Sequence, residues 1–161
     1  MTEIIKEKFA TTIPGYKNME QVAKSVVDSN KNKLSLILNH LSLEAKKASA
    51  KDLALGRIKI GPLLENVGFN FWVAGQIFLK IEPLDNFGCE EKLAKDIFNL
   101  SYKSVIAFIV FLEKELDKLF LKHRNDDNAQ EADCVYITKA LIHLALIDME
   151  KIWSVCKKYT E

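Results

Sequence analysis

At 161 residues the chain is the size of one ordinary domain, long enough to bury a core without disulfide or metal staples. Its 48% hydrophobic and 28% charged residues exclude the apolar-poor pattern of disorder, and 23 Lys and Arg against 22 Asp and Glu, interleaved along the chain, leave no basic stripe for nucleic acid. Cys89, Cys134 and Cys156 contain no close pair, which argues against a disulfide framework or zinc site and fits a reducing, cytoplasmic setting.

Met1 to Ala10 alternates charge with apolar residues and has no hydrophobic core of signal-peptide length. Thr11-Thr12-Ile13-Pro14-Gly15 reads as a turn that separates a short arm, residues 1–17, from a single helical body, residues 18–161. Asn18 is placed to cap a helix opening Met19-Glu20-Gln21, with Val22, Val26 and Val27 on its apolar face. Ser29-Asn30-Lys31-Asn32 interrupts this pattern, as a break or an exposed stretch, before Leu34, Ile37, Leu38, Leu41 and Ala45 resume it.

Ser49-Ala50 leads into a second helical segment carrying Leu53, Ile58, Ile60, Leu63, Leu64, Val67, Phe71 and Trp72, which Pro62 kinks or restarts and Pro83 closes. Asp85-Asn86-Phe87-Gly88 is a loop. Cys89 to about His123 can run as one long helix, and Val105 to Leu112 within it is apolar on every side, so it is either surrounded by helices or lies at an oligomer interface. That apolar run is too short to span a bilayer. Arg124-Asn125-Asp126-Asp127-Asn128 is a polar loop, and a last helix from about Glu131 to Lys158 carries Val135, Ile137, Leu141, Leu144, Ile147, Ile152 and Val155. The predicted fold is all-α, an antiparallel bundle of about four long helices, with a globin-like arrangement of shorter helices as the alternative.

Gly61, Gly68 and Gly75 recur at an interval of seven within the second segment. Glycine in a helix interior costs about 1 kcal/mol against alanine, so three near one face imply that another backbone or a flat ligand comes close. In the ligand reading the glycines form a pocket wall beside Leu64, lined by Phe71 and Trp72, with Glu65, Asn70 or Gln76 fixing a polar end. The plainer reading is close helix packing. Asp148, four residues from both Leu144 and Ile152, puts a carboxylate along the apolar face of the last helix, where in the ligand reading it anchors a ligand or senses protonation with His143 or Tyr102 for company; the plainer reading is a half-exposed acid at the edge of that face. Asn99, Ser101 and Ser104 place polar groups beside the core and are expected to bond backbone carbonyls.

His40, His123 and His143 lack the spacing of di-iron or zinc-protease sites, though one axial haem ligand needs only a single histidine. Asp126-Asp127-Asn128 with Glu131 and Asp133 lacks the turn glycine and spacing of a calcium loop, and no metal is expected. Ile60-Gly61 through Gly68 to Trp72, and Leu141 through Asp148-Met149, partly resemble bacterial sensor globins. Leu64 stands where those proteins carry the haem-ligating histidine, and the interval from it to Asp148 is longer than their last helices allow. That resemblance implies a sensor domain holding haem or a fatty acid.

The reading favoured by the residues is a non-enzymatic sensory or regulatory module. It would act through a small apolar ligand near the glycines, by shifting the population of helix arrangements, or through a partner protein. The alternative is a self-associating protein, a homodimer completed through its apolar central helix.

Overall fold

The computed structural model describes residues 13–28, 31–79 and 89–160, whose regular structure is helical: α1 (Met19–Asp28), α2 (Lys31–Ala54), α3 (Ile60–Leu79), α4 (Cys89–Phe98), α5 (Tyr102–Asn125) and α6 (Ala129–Thr160). Among the described residues there are thus six helices. Residues 1–12 of the predicted arm, Ser29-Asn30, Pro83 and the loop at 85–88 fall outside them. No helix among the described residues is long and apolar enough to cross a membrane.

The chain enters through Pro14-Gly15, where Tyr16 N–H donates to the Ile13 carbonyl at 3.1 Å and Gly15 takes φ 90°. Asn18 caps α1 as its position predicts: Oδ1 accepts from Gln21 N–H at 2.9 Å, while Gln21 Oε1 accepts from Lys17 N–H at 2.6 Å.

Two predicted boundaries are corrected. The second segment does not open at Ser49-Ala50, because α2 runs on to Ala54 and stops at Gly56. There Gly56 takes φ 79°, its N–H donates to the Leu53 carbonyl at 3.0 Å, and Arg57 N–H donates to the Asp52 carbonyl at 2.8 Å. These are the paired bonds of a helix end that needs a left-handed residue, which glycine supplies without strain. Ile58 is then a turn residue, and Pro62 restarts the chain in the first turn of α3, where its missing N–H costs nothing.

The single helix expected from Cys89 to His123 divides at Asn99-Leu100-Ser101. Ser101 caps α5: its backbone is extended, and its Oγ accepts from Ser104 N–H at 3.3 Å and lies 3.0 Å from Ser104 Oγ. Ser101 therefore satisfies a backbone donor at a helix start rather than a carbonyl beside the core. The α5–α6 turn ends α5 in the same way as α2. Asp127, at φ 57°, occupies the left-handed position, with Asp127 N–H on the Arg124 carbonyl at 3.3 Å and Asn128 N–H on the His123 carbonyl at 2.9 Å.

Packing joins α2 to α3, α3 to α6, α6 to α5, α5 to α1 and α1 to α2, closing a ring, with α4 set against α2. Val22, Leu38, Leu41, Leu64, Phe71, Ile97, Phe108, Ile109, Leu112, Leu116, Ile142 and Ile152 fill the interior and are fully buried. Each contributes about 1.5–3 kcal/mol of transfer free energy. The apolar run of α5 is accommodated by this ring: Val105, Phe108, Ile109 and Leu112 are buried, and Ile106, Ala107, Val110 and Phe111 are half-buried between α1 and α6.

Candidate functional site

The three glycines of α3 face α2. A Cβ on Gly68 would stand 3.1 Å from the backbone oxygen of Ser42, one on Gly75 would stand 3.2 Å from that of Ser35 and 2.7 Å from Asn39 Oδ1, and one on Gly61 would fall 2.5 Å from the Leu53 side chain. Ser35, Ser42 and Ser49 recur at the same interval of seven and run antiparallel to the glycines. Ser49 Oγ donates to the Gly61 carbonyl at 2.6 Å, closing one end of the seam, and Gln76 Nε2 reaches Asn39 Oδ1 at 3.5 Å near the other. The neighbour admitted by the glycines is thus a second helix, joined to α3 along a line of small residues. The serine half of this seam escapes a reading of α3 alone; its signal is the second interval of seven.

The other predicted site residues scatter. Leu64 and Phe71 are buried in the core, whereas Glu65 lies on the surface and Trp72 is 45% exposed beside an exposed Phe69. Tyr102 and Asp148 do not meet. Burial, aided by Asp52 and Cys156 and opposed by Arg57, holds the Tyr102 phenol protonated well above its ordinary range. Asp148 is half-buried, and burial raises its carboxyl while Lys151 opposes the shift. His143 turns instead to Glu113, with Nδ1 2.9 Å from Oε1.

Asp52, Arg57, Tyr102 and Cys156 form an electrostatic cluster at one end of the ring. Arg57 Nη1 bonds Asp52 Oδ1 at 2.9 Å, with Asp52 nearly buried, and burial with the Asp52 charge pushes the Cys156 thiol up to about 11. A thiol so raised stays protonated and inert. No group of three or more His, Cys, Asp or Glu side chains among the described residues is arranged to hold a metal ion.

The most distinctive surface is the outer side of α6. Of the apolar residues expected along this helix, Val135 and Ile152 are buried, but Ile137 is 47%, Leu144 50% and Ile147 37% exposed. The buried line is instead Val135, Thr138, Ile142, Ala145, Met149, Ile152 and Cys156, which leaves Asp148 at its edge. With exposed Ala140, the outer residues Ile137, Ala140, Leu144 and Ile147 step by three, four and three, the spacing of a coiled-coil seam. One flank is fixed to α5. Lys139 pairs with Asp117, His143 with Glu113, and the Phe120 and Tyr136 rings lie 5.9 Å apart at 50°. Between the helices, Glu113, Tyr136, Lys139, Ala140, His143 and Leu144 line a shallow groove of about 520 Å³. Ala140 is the smallest of these lining residues, and a small residue between larger ones is where a facing helix can place a knob.

Compared with protein-family models, curated proteins and solved structures, the chain matches none, so the functional reading rests on its own geometry.

Proposed function

We propose that this chain is a non-enzymatic helical regulatory module that works by binding another polypeptide through the outer face of α6. The observation that supports this reading is the heptad-spaced apolar line Ile137, Ala140, Leu144 and Ile147, which faces solvent although the same helix carries a complete inward stripe. Exposed apolar residues scattered singly need no explanation, whereas a contiguous line on a helix braced by polar contacts on one flank is the form of a helix-docking surface. A small apolar ligand at the glycine stripe would have to displace α2, which already lies against all three glycines.

The test is photo-crosslinking in cells with benzoylphenylalanine at Ala140, with the same probe at Glu65 on the outer side of α3 as reference. The expected result is a discrete protein adduct at Ala140 that disappears when Leu144→Glu is added. Labelling no stronger than at Glu65 would refute the reading.

A further inference from the structure

The geometry points to a second copy of this chain as the occupant of the α6 face, with the two α6 helices antiparallel across a two-fold axis midway between Ala140 and Leu144. This deepens the reading above and rests on it. The face is self-complementary in that one arrangement. Pairing that sets Ala140 opposite the second copy's Leu144 also sets Ile137 opposite its Ile147, so each seam layer meets a layer of the other kind, as antiparallel helices require. The small residue falls opposite a large one in both central layers, and the groove beside Ala140 is where the incoming leucine seats.

The ends of the apolar line carry the charge argument. One seam step before Ile137 stands Asp133, and one step after Ile147 stands Lys151. Both are exposed, and neither has an ion-pair partner within 4.0 Å among the described residues. The same two-fold axis brings Asp133 of each copy opposite Lys151 of the other, closing the seam with two opposite-charge pairs. A parallel pairing would set Asp133 against Asp133 and Lys151 against Lys151, so the charges select the antiparallel orientation. A seam of two heptads is short, which makes the association reversible and weak rather than obligate.

Sedimentation equilibrium of the full chain from about 1 to about 500 µM tests this, since an interface of this size associates within that range. All substitutions are at exposed positions, and far-UV circular dichroism checks that each variant folds. The expected result is a monomer–dimer equilibrium that Leu144→Glu weakens by about a hundredfold or more. Asp133→Lys alone weakens it by about tenfold, and Asp133→Lys with Lys151→Asp restores it to within about twofold of the parent, because the reversed pair is again complementary. A monomer throughout, a dimer indifferent to Leu144→Glu, or a charge reversal that the double variant fails to rescue would overturn the inference. The crosslinking above separates its failure from that of the parent reading. A monomer whose Ala140 probe gives an adduct with a different protein overturns the self-pairing and keeps the docking face, and a monomer without any adduct overturns both.

Discussion

Filling the glycine seam tests the packing directly, because the three positions differ in what a new side chain would meet. At Gly68 the first obstacles are the Ser42 backbone oxygen at 3.1 Å, Lys46 Cγ at 3.3 Å and Ala45 Cβ at 3.4 Å. At Gly61 the obstacle is the side chain of Leu53, 45% exposed and able to swing away. Alanine gains about 1 kcal/mol over glycine in a helix interior. Gly61 does not share that gain: it is the second residue of α3, directly before Pro62, where a Cβ disfavours the helical backbone, and Leu53 must also shift, so Gly61→Ala should be neutral to slightly destabilising. Gly68→Ala must push α2 back by a few tenths of an ångström, and an overpacking cost of about 1 kcal/mol cancels the gain. Gly68→Leu adds three more carbon atoms against a backbone that cannot turn aside, at about 3 kcal/mol of overpacking, for a net loss of about 2 kcal/mol. With a urea m-value of about 2 kcal/mol/M, that loss lowers the unfolding midpoint by about 1 M, readily measured by circular dichroism at 222 nm. A Gly68→Leu protein as stable as the parent would refute the close approach of α2 to α3.

The seam also separates its serines. The Ser42 hydroxyl is buried with no hydrogen-bond partner among the described residues, so Ser42→Ala should stabilise by about 1 kcal/mol in urea unfolding, whereas Ser49→Ala, which removes the bond to the Gly61 carbonyl, should cost about 1 kcal/mol. Cys156 supplies a pH dependence. Its thiol is held at about 11 in the folded chain against an ordinary 9.0, so the folded state binds the proton more tightly and the associated stability is complete below the ordinary value and lost as pH rises through the folded one. A Cys156→Ala variant should therefore lose less stability than the parent over that alkaline window, and equal slopes would contradict it.

Helical class was legible from the spacing of apolar residues, and the start of α1 from Asn18 with Gln21 three residues later. The division between α4 and α5 was not, because Ile97, Leu100 and Val105 keep an inward line across the break, and the only local sign is Ser101 followed three residues later by Ser104. Gly56 stops α2, whereas Ser49-Ala50, where the sequence suggests the boundary, lies inside the helix; what decides the stop is a pair of carbonyl bonds seen only in three dimensions. The glycines announced a close approach without naming the neighbour. Ser35, Ser42 and Ser49, the residues that answer them, look like ordinary polar positions on a helix, since serine is small enough for a seam and polar enough for a surface.

The last helix explains why function was harder to read than fold. It carries two apolar lines, and periodicity treats them alike: one through Val135, Ile142, Met149 and Ile152, the other through Ile137, Leu144 and Ile147. Only the positions of α3 and α5, the helices packed against α6, decide which line turns inward. Once that is known the outer line is an anomaly with a physical cost, since half-exposed isoleucine and leucine forgo about 1 kcal/mol each of the transfer free energy that full burial would supply. The buried half of each side chain supplies a similar amount, so polar residues there would cost the fold up to about 1 kcal/mol each. Folding thus accounts for only part of the apolar character of Ile137, Leu144 and Ile147, and does not require opposite charges, Asp133 and Lys151, one seam step beyond the two ends. A facing helix that runs the other way gives a reason for both at once.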